Sequence, residues 1–403
     1  MRVALATVGT SGDIRPFALL ARELVARGHE VTAITWPVHQ TALSLPGVHV
    51  ETAGPHADPA RIATVAAEAA EKGPMDQVAV LRDVHLADGD AHYRRLRQLL
   101  PGHDLVLLHS IHGLAHAAAL DLGLRWASVV FDPVLLPTRT APPPGMPTLG
   151  PANRLLWGML DRMLARANGP FDEILASAGS AQRGLPLFRA RSPLLHLLGC
   201  SPAIMRVPTD LPASTEVTGA WADRSAHDPL PDDLRSWLDD GPPPVSITFG
   251  SMGGPATAAI DGAIQLILDA GRRVALQGAT SLDSPNLATI GAVDHRPLFA
   301  RSCLVVHHGG SGTTHTVARA GVPQVVVPHV GDQRYWADRL HRLGVSAKPF
   351  DVRSLNAARL AEAILTTAAD PARAVTATRL AAQMHDEDGV GAAAEALEAI
   401  APG

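Results

Sequence analysis

The residues best equipped for chemistry lie in two glycine-rich turns nearly 300 positions apart. The later one reads His308-Gly309-Gly310-Ser311-Gly312-Thr313-Thr314. Glycines let backbone N–H groups approach a phosphate closely, and a helix that follows adds about half a positive charge at its N-terminus. Ser311, Thr313 and Thr314 add hydroxyl donors and His308 an imidazole, so the stretch can cradle a diphosphate without a metal. It has neither the Gly-Lys-Ser/Thr ending of a P-loop nor the third glycine of a dinucleotide fingerprint. The plainer alternative is a tight turn whose glycines serve only packing. One Ser, two Thr and two His between His307 and Thr314 count against it. The earlier turn, Gly9-Thr10-Ser11-Gly12-Asp13, presents a carboxylate. Asp13 can serve as a general base, or simply cap the helix near Pro16, where an acid meets the helix dipole favourably. Gly9 and Gly12 lack the G-x-G-x-x-G spacing, which disfavours a dehydrogenase.

Both turns need a strand before them and a helix after. Val3 to Val8 reads as a buried strand and Pro16 to Arg27 as a helix stopped by Gly28. Strands follow at Glu30–Thr35, Asp104–His109 and Trp126–Phe131, with a helix from Gly113 to Leu122. Residues 133–151 carry seven prolines and read as a long irregular loop. Prolines also punctuate 200–244, where the domain boundary is expected. A second alternating unit has strands at Val245–Phe249, Arg273–Gln277, Leu304–His307 and Gln324–Val327. Its helices are expected at Ile260–Ala270, Thr314–Ala320 and Gln333–Leu343, with a last one at Gly391–Ile400. Short apolar strands alternating with helices imply doubly wound parallel α/β sheets in two halves.

The 403 residues allow two or three domains of about 150 residues each. With 46% hydrophobic and 18% charged residues the chain is globular. A net charge of -5 and no block of Lys or Arg argue against nucleic acid and against a polybasic membrane anchor. Two cysteines make no disulfide framework or thiolate metal site. The apolar start is too short for a signal peptide, and no stretch reaches the length of a membrane span, so a cytoplasmic protein is expected. His109, His112 and His116 have helical spacing, with His85 and His92 upstream, but no acid completes a zinc pattern. They read as cleft histidines or as ordinary hydrogen-bonded ones.

The segment His307 to His315 resembles the donor motif of inverting nucleotide-sugar glycosyltransferases of the GT-B fold, with two Rossmann-like domains facing across a cleft. Gly321-Val322-Pro323-Gln324 and Pro328-His329-Val330-Gly331-Asp332-Gln333 continue it. Gly9 to Pro16 resembles the amino-terminal signature of vancomycin-group antibiotic glycosyltransferases and sterol glucosyltransferases. Phe249-Gly250-Ser251-Met252 matches the loop near the phosphates. These matches follow family order over nearly the whole chain.

The resemblance implies an acceptor domain over 1–206, a linker region at 207–242, a nucleotide-sugar domain at 243–385 and a final helix, 386–403, returning to the first domain. Ser251, His308, Gly310, Ser311, Gly312 and Thr313 would contact the donor diphosphate. Asp332 and Gln333 would bond the donor sugar, and Val293 to Leu298, with Val293 and His295 foremost, would line the nucleobase pocket. Asp13 would be the base, and Thr10, counted among the acceptor-binding residues, a neighbour of the acceptor or donor. The acceptor side is drawn from strand ends and the proline-rich loop: His112, Phe131 and Met146, with Trp36, Asp132 and Trp157 as further candidates. In plant-type relatives a His base is paired with an Asp after a later strand, whereas here Asp13 stands in the first position and His109-Ser110 ends the later strand. The ribose-binding Glu of those relatives is Thr316 here, which leaves a uridine or a deoxythymidine donor open. The expected partners are thus a UDP- or dTDP-sugar as co-substrate and a small-molecule acceptor, with no metal or other cofactor. A monomer or homodimer is expected. A sugar-nucleotide epimerase, or a non-catalytic nucleotide-sugar-binding helper, are the alternatives.

Overall fold

The computed structural model describes residues 1–56, 65, 68, 72, 74–134, 136–139, 142–143, 146, 149–225, 227–249 and 257–401. Among these residues there are two sheets, both wholly parallel.

The first sheet uses β1 (Arg2–Ala6), β2 (Glu30–Thr35), β3 (Val48–Thr52), β4 (Leu105–His109), β5 (Trp126–Val130), β6 (His196–Leu198) and β7 (Thr215–Val217) in the order 3-2-1-4-5-6-7. Its helices are α1 (Ser11–Ala26), α2 (Gln40–Leu43), α3 (Pro74–His85), α4 (Gly89–Leu99), α5 (Gly113–Asp121), α6 (Asn153–Ala167) and α7 (Gly169–Ser177). The second sheet uses β8 (Val245–Thr248), β9 (Val274–Gln277), β10 (Leu287–Ile290), β11 (Leu304–His307) and β12 (Gln324–Val326) in the order 10-9-8-11-12. Helices α8 (Asp232–Asp239), α9 (Thr257–Asp269), α10 (His295–Phe299), α11 (Ser311–Arg319), α12 (Gln333–Arg342), α13 (Ala357–Ala368) and α14 (Pro371–Met384) accompany it, and α15 (Gly389–Ala399) closes the chain.

The strands are apolar runs because both faces are covered. β4, β5, β8 and β11 are buried along their whole length. One face of the first sheet packs Phe17, Leu20 and Leu24 of α1 against Leu5 and Leu107, and Ala393, Ala394 and Leu397 of α15 join that core. The other face packs Tyr93, Leu96 and Phe171. In the second sheet Ile264, Ile267 and Ile364 cover one face, and Leu234, Phe299 and Val317 the other. A fifth apolar cluster spans the two halves, joining Val130, Leu198 and Ile204 to Val326, Trp336, Leu340 and Met384.

The segment 207–242, expected as a linker region, contains β7 and α8. β7 pairs with β6, while Leu234 and Leu238 of α8 pack on the second sheet. The chain therefore crosses between halves after Val217 and before Asp232. It crosses back beside the same place. Glu387 accepts from the Ser201 hydroxyl at 2.5 Å and the Ala220 N–H at 3.3 Å, and its carbonyl accepts from Arg319 at 2.9 Å.

Two helices begin earlier than their sequence signals suggest. α1 starts at Ser11 rather than Pro16, and α11 at Ser311 rather than Thr314. In each, the glycine-rich stretch supplies the first helical turn and not only the loop. Pro16 lies inside α1, where it has no N–H to offer the Gly12 carbonyl.

Candidate active site

Ligands of doubly wound sheets bind outside the carboxyl ends of the strands, where strand order reverses. In the first sheet that point lies between β1 and β4, and in the second between β8 and β11. Asp13 and His109 stand at the first point, and His308 to Gly312 at the second. Both open onto one cavity of about 2800 Å³.

Asp13 is placed by Gly9. Gly9 has φ +121°, and a Cβ there would come within 2.5 Å of Asp13 Oδ2. That oxygen accepts from the Thr10 N–H at 2.7 Å and the Thr10 hydroxyl at 2.9 Å. The capping role of Asp13 is thus real. It occupies Oδ2 and leaves Oδ1 4.0 Å from Nε2 of His109. His109 is buried, its Nδ1 3.4 Å from the Thr7 hydroxyl, which donates to the Asp13 carbonyl at 3.2 Å. Phe17 and Phe131 flank the ring at centroid distances of 5.7 and 5.5 Å. Burial lowers the His109 pKa, while Asp13 and the Val8 carbonyl pull it back up.

Across the cavity, Gly309 has φ +92°, and a Cβ on Gly310 would lie 2.6 Å from His308 Nε2. Only glycine lets the imidazole sit over the start of α11. Burial, then the neighbouring histidines His307, His329 and His295, lower the His308 pKa to about 3, so the ring is neutral. Its Nδ1 is buried without a hydrogen-bond partner. An unpaired buried imidazole nitrogen is costly. The first N–H groups of α11 have no intrahelical acceptor and add their dipole.

Gly310, Ser311, Gly312 and Thr313 all line the cavity. Ser311 donates to the Phe131 carbonyl of the other half at 2.8 Å. Thr10, Phe131, Met146, Val293 and His295 line it too. His295 stacks on Phe299 and its Nε2 lies 3.0 Å from Gln277 Oε1.

Asp332 and Gln333 begin α12 on the cavity wall. Asp332 Oδ2 accepts from Trp336 Nε1 at 2.7 Å. Burial, then the nearby Asp132 and Asp13 carboxylates, push the Asp332 pKa well above the carboxylate range. A protonated Asp332 can donate as well as accept. Gln333 Oε1 accepts from the His329 and Val330 N–H groups at 2.7 and 3.0 Å, so its amide nitrogen is the end left for a ligand.

Three expected residues, His112, Trp36 and Trp157, do not line the cavity. His112 is not in the cavity wall; its ring is buried against His92, centroids 5.1 Å apart, because it sits at the N-cap of α5. Ser251 lies outside the described residues. Trp36 and Trp157 are buried, and neither lines the cavity. His329 was given no role by sequence reasoning. It lines the cavity with both ring nitrogens unpartnered, edge-on to Phe249 at 5.6 Å. Its place inside the Pro328–Gln333 motif was the available signal. Among the described residues no group of three or more His, Cys, Asp or Glu is placed to hold a metal ion, and no helix is long and apolar enough to cross a membrane.

Known proteins share this arrangement of sheets and turns. The chain is 33% identical over 412 residues to the O-mycaminosyltylonolide 6-deoxyallosyltransferase of Streptomyces fradiae, covering 97% of this chain and 95% of the relative. It is 32% identical to the vancomycin aglycone glucosyltransferase of Amycolatopsis orientalis, covering 99% and 98%. The chain belongs to the antibiotic-type glycosyltransferases. Residues 255–400 of this glycosyltransferase match the family described as erythromycin biosynthesis protein CIII-like, C-terminal domain. Its fold is GT-B, like that of the glycotransferase of kitacinnamycin, with TM-score 0.74, 20% identity and coverage of 100% and 99%. The spinosyn rhamnosyltransferase SpnG, complexed with thymidine diphosphate, has the same fold, with TM-score 0.67, 21% identity and coverage of 99% and 100%. Membership favours group transfer over the epimerase and helper readings.

Proposed function

We propose that this glycosyltransferase inverts the anomeric carbon of a UDP- or dTDP-sugar as it passes the sugar to a hydroxyl of a small-molecule acceptor, with Asp13 as general base. The observation that carries this reading is that Asp13 and the His308–Thr313 turn line one cavity from opposite halves. The acceptor oxygen attacks as its proton moves to Asp13, while the α11 N-terminus and neutral His308 donate to the departing diphosphate. The transition state is oxocarbenium-like, and single displacement on an α-linked donor yields a β-linkage. Asp332 and the Gln333 amide nitrogen donate to the sugar hydroxyls. Val293 and His295 bound the base, and Phe131 and Met146 the acceptor. The diphosphate cradle needs no metal.

Of the two donors, deoxythymidine is favoured. Where a Glu carboxylate would accept from ribose, Thr316 spends its hydroxyl proton on the Gly312 carbonyl at 2.8 Å. A deoxyribose has one hydroxyl fewer to satisfy. The thymidine diphosphate in the similarly folded SpnG supports the same choice.

The test is a panel of uridine and deoxythymidine sugars with pooled acceptors, with and without chelator. Acceptor-dependent release of nucleoside diphosphate that survives chelator is expected. Asp13→Asn should lower kcat about 10²-fold or more, with donor affinity unchanged. Transfer by Asp13→Asn at the wild-type rate would sink the assignment of the base.

A further inference from the structure

Resting on Asp13 as base, we propose that His109 is its positioning residue and proton sink: the carboxylate meets the acceptor, and the imidazole behind it takes the proton. The inference comes from how hydrogen-bond capacity is divided around the pair. Oδ2 of Asp13 is committed to the Thr10 N–H and hydroxyl. Asp13 lines the cavity, and Oδ1, its uncommitted oxygen, is the one left to receive a proton and is 4.0 Å from His109 Nε2.

The Thr7 hydroxyl has one proton, which goes to the Asp13 carbonyl at 3.2 Å. Toward His109 Nδ1, at 3.4 Å, it can then only accept. With Thr7 accepting there, the proposal puts the imidazole proton on Nδ1 and a bare Nε2 toward Asp13. A lone pair facing a carboxylate makes no bond. Once Oδ1 is protonated the two can bond, after closing the 4.0 Å between them by a small side-chain rotation.

The strand register holds this geometry. Val3 to Ala6 of β1 pair with Leu105 to Leu108 of β4, so Thr7 and His109 leave the ladder side by side. The groups facing the ring are Asp13 from α1, Thr7 and the Val8 carbonyl from the end of β1, and the neutral His85 and His112. Burial opposes charge on the ring, and Asp13 and the Val8 carbonyl favour it. The ring gains its charge only beside a carboxylate that has regained its own.

The step balances. The acceptor oxygen bonds to the anomeric carbon while the bond from that carbon to the diphosphate breaks, and its electron pair leaves with the nucleotide. The acceptor proton passes to Asp13 Oδ1 and then to His109 Nε2. The product state holds an imidazolium–carboxylate pair, which returns the proton to water when the cleft empties.

The tautomer can be read without turnover. In ¹⁵N-imidazole spectra of the full chain at pH 7.5, assigned by difference with His109→Gln, His109 should show a protonated Nδ1 and a bare Nε2. The opposite tautomer overturns the proposal, because Nε2 would then be donating to Asp13. The kinetic arm measures transfer from dTDP-glucose and UDP-glucose to 4-nitrophenol, phenol and an aliphatic alcohol. His109→Gln and His109→Asn should lower kcat about 10-fold or more with donor KM unchanged, and the loss should grow as the acceptor becomes less acidic. If Asp13→Asn is inactive while both His109 variants keep wild-type kcat across that series, the proton sink fails and the base stands. If Asp13→Asn itself transfers normally, the base reading fails.

Discussion

Three carboxylates meet where the halves of the cavity face one another, and their environments differ. Asp13 is held by donors from Thr10. Asp132 accepts from the Val134 N–H at 2.8 Å. Asp332, between them in the electrostatic sense, is pushed toward its neutral form. Like charges in a shared low-dielectric space push their pKa values apart, which suits one group for proton removal and another for donation. Thr316 is the residue where donor choice can be tested. Thr316→Glu should raise kcat/KM for a UDP-sugar relative to the matching dTDP-sugar by about 10-fold, the worth of one charge-assisted hydrogen bond. The competition assay uses both donors in one vessel. An unchanged ratio would mean the ribose is read elsewhere. At this scale the sequence was informative where residues are neighbours in the chain, as in the His308–Thr313 turn. The approach of Thr7 to His109 depends on strand register, and that of Asp132 to Asp332 on domain packing. Neither leaves a mark in local spacing.

At the scale of elements, the two glycine-rich turns prove to be helix starts as much as loops. The strands before them were readable as apolar runs, and the alternation with helices gave the parallel α/β class. The early starts of α1 and α11 were not, because Pro16 and Thr314 look like stronger signals than Ser11 and Ser311. Asp13 caps as a residue of the first turn, bonding back to the Thr10 N–H, and not from ahead of the helix, which decides the first case. β7 was hidden too: Thr215–Val217 is three residues long and set among prolines. Gly9→Ala probes the element that aims the base. A methyl group there sits 2.5 Å from Asp13 Oδ2 on a backbone at φ +121°. The expected result is kcat lowered about 10-fold or more, with unaltered far-UV circular dichroism and a strain cost of about 1–3 kcal/mol in stability. Full activity would show that the carboxylate need not be held where Gly9 lets it lie.

At the scale of the whole molecule, burial of histidines links stability to pH. His85 and His308 have pKa values lowered to about 3, and His92, His116, His196, His295, His307, His315 and His329 to about 4, in each case chiefly by burial. Each takes a proton near pH 6.5 in the unfolded chain and only near pH 3 to 4 in the folded one. The unfolded state therefore binds more protons in that window, and stability, full above pH 6.5, falls as pH drops through it. Denaturant midpoints between pH 7.5 and 4.5 should fall with a slope of several protons per molecule. A flat profile would mean the rings are hydrated or already charged. The end of the chain has a different bearing. Ala393, Ala394 and Leu397 of α15 are part of the first half's core, although they follow all of the second half in sequence. Hybrids between relatives thus need two junctions. One cut near 217–232 would fill the core of one parent with the tail of the other, whereas a second cut near Glu387 lets each half travel with its own packing.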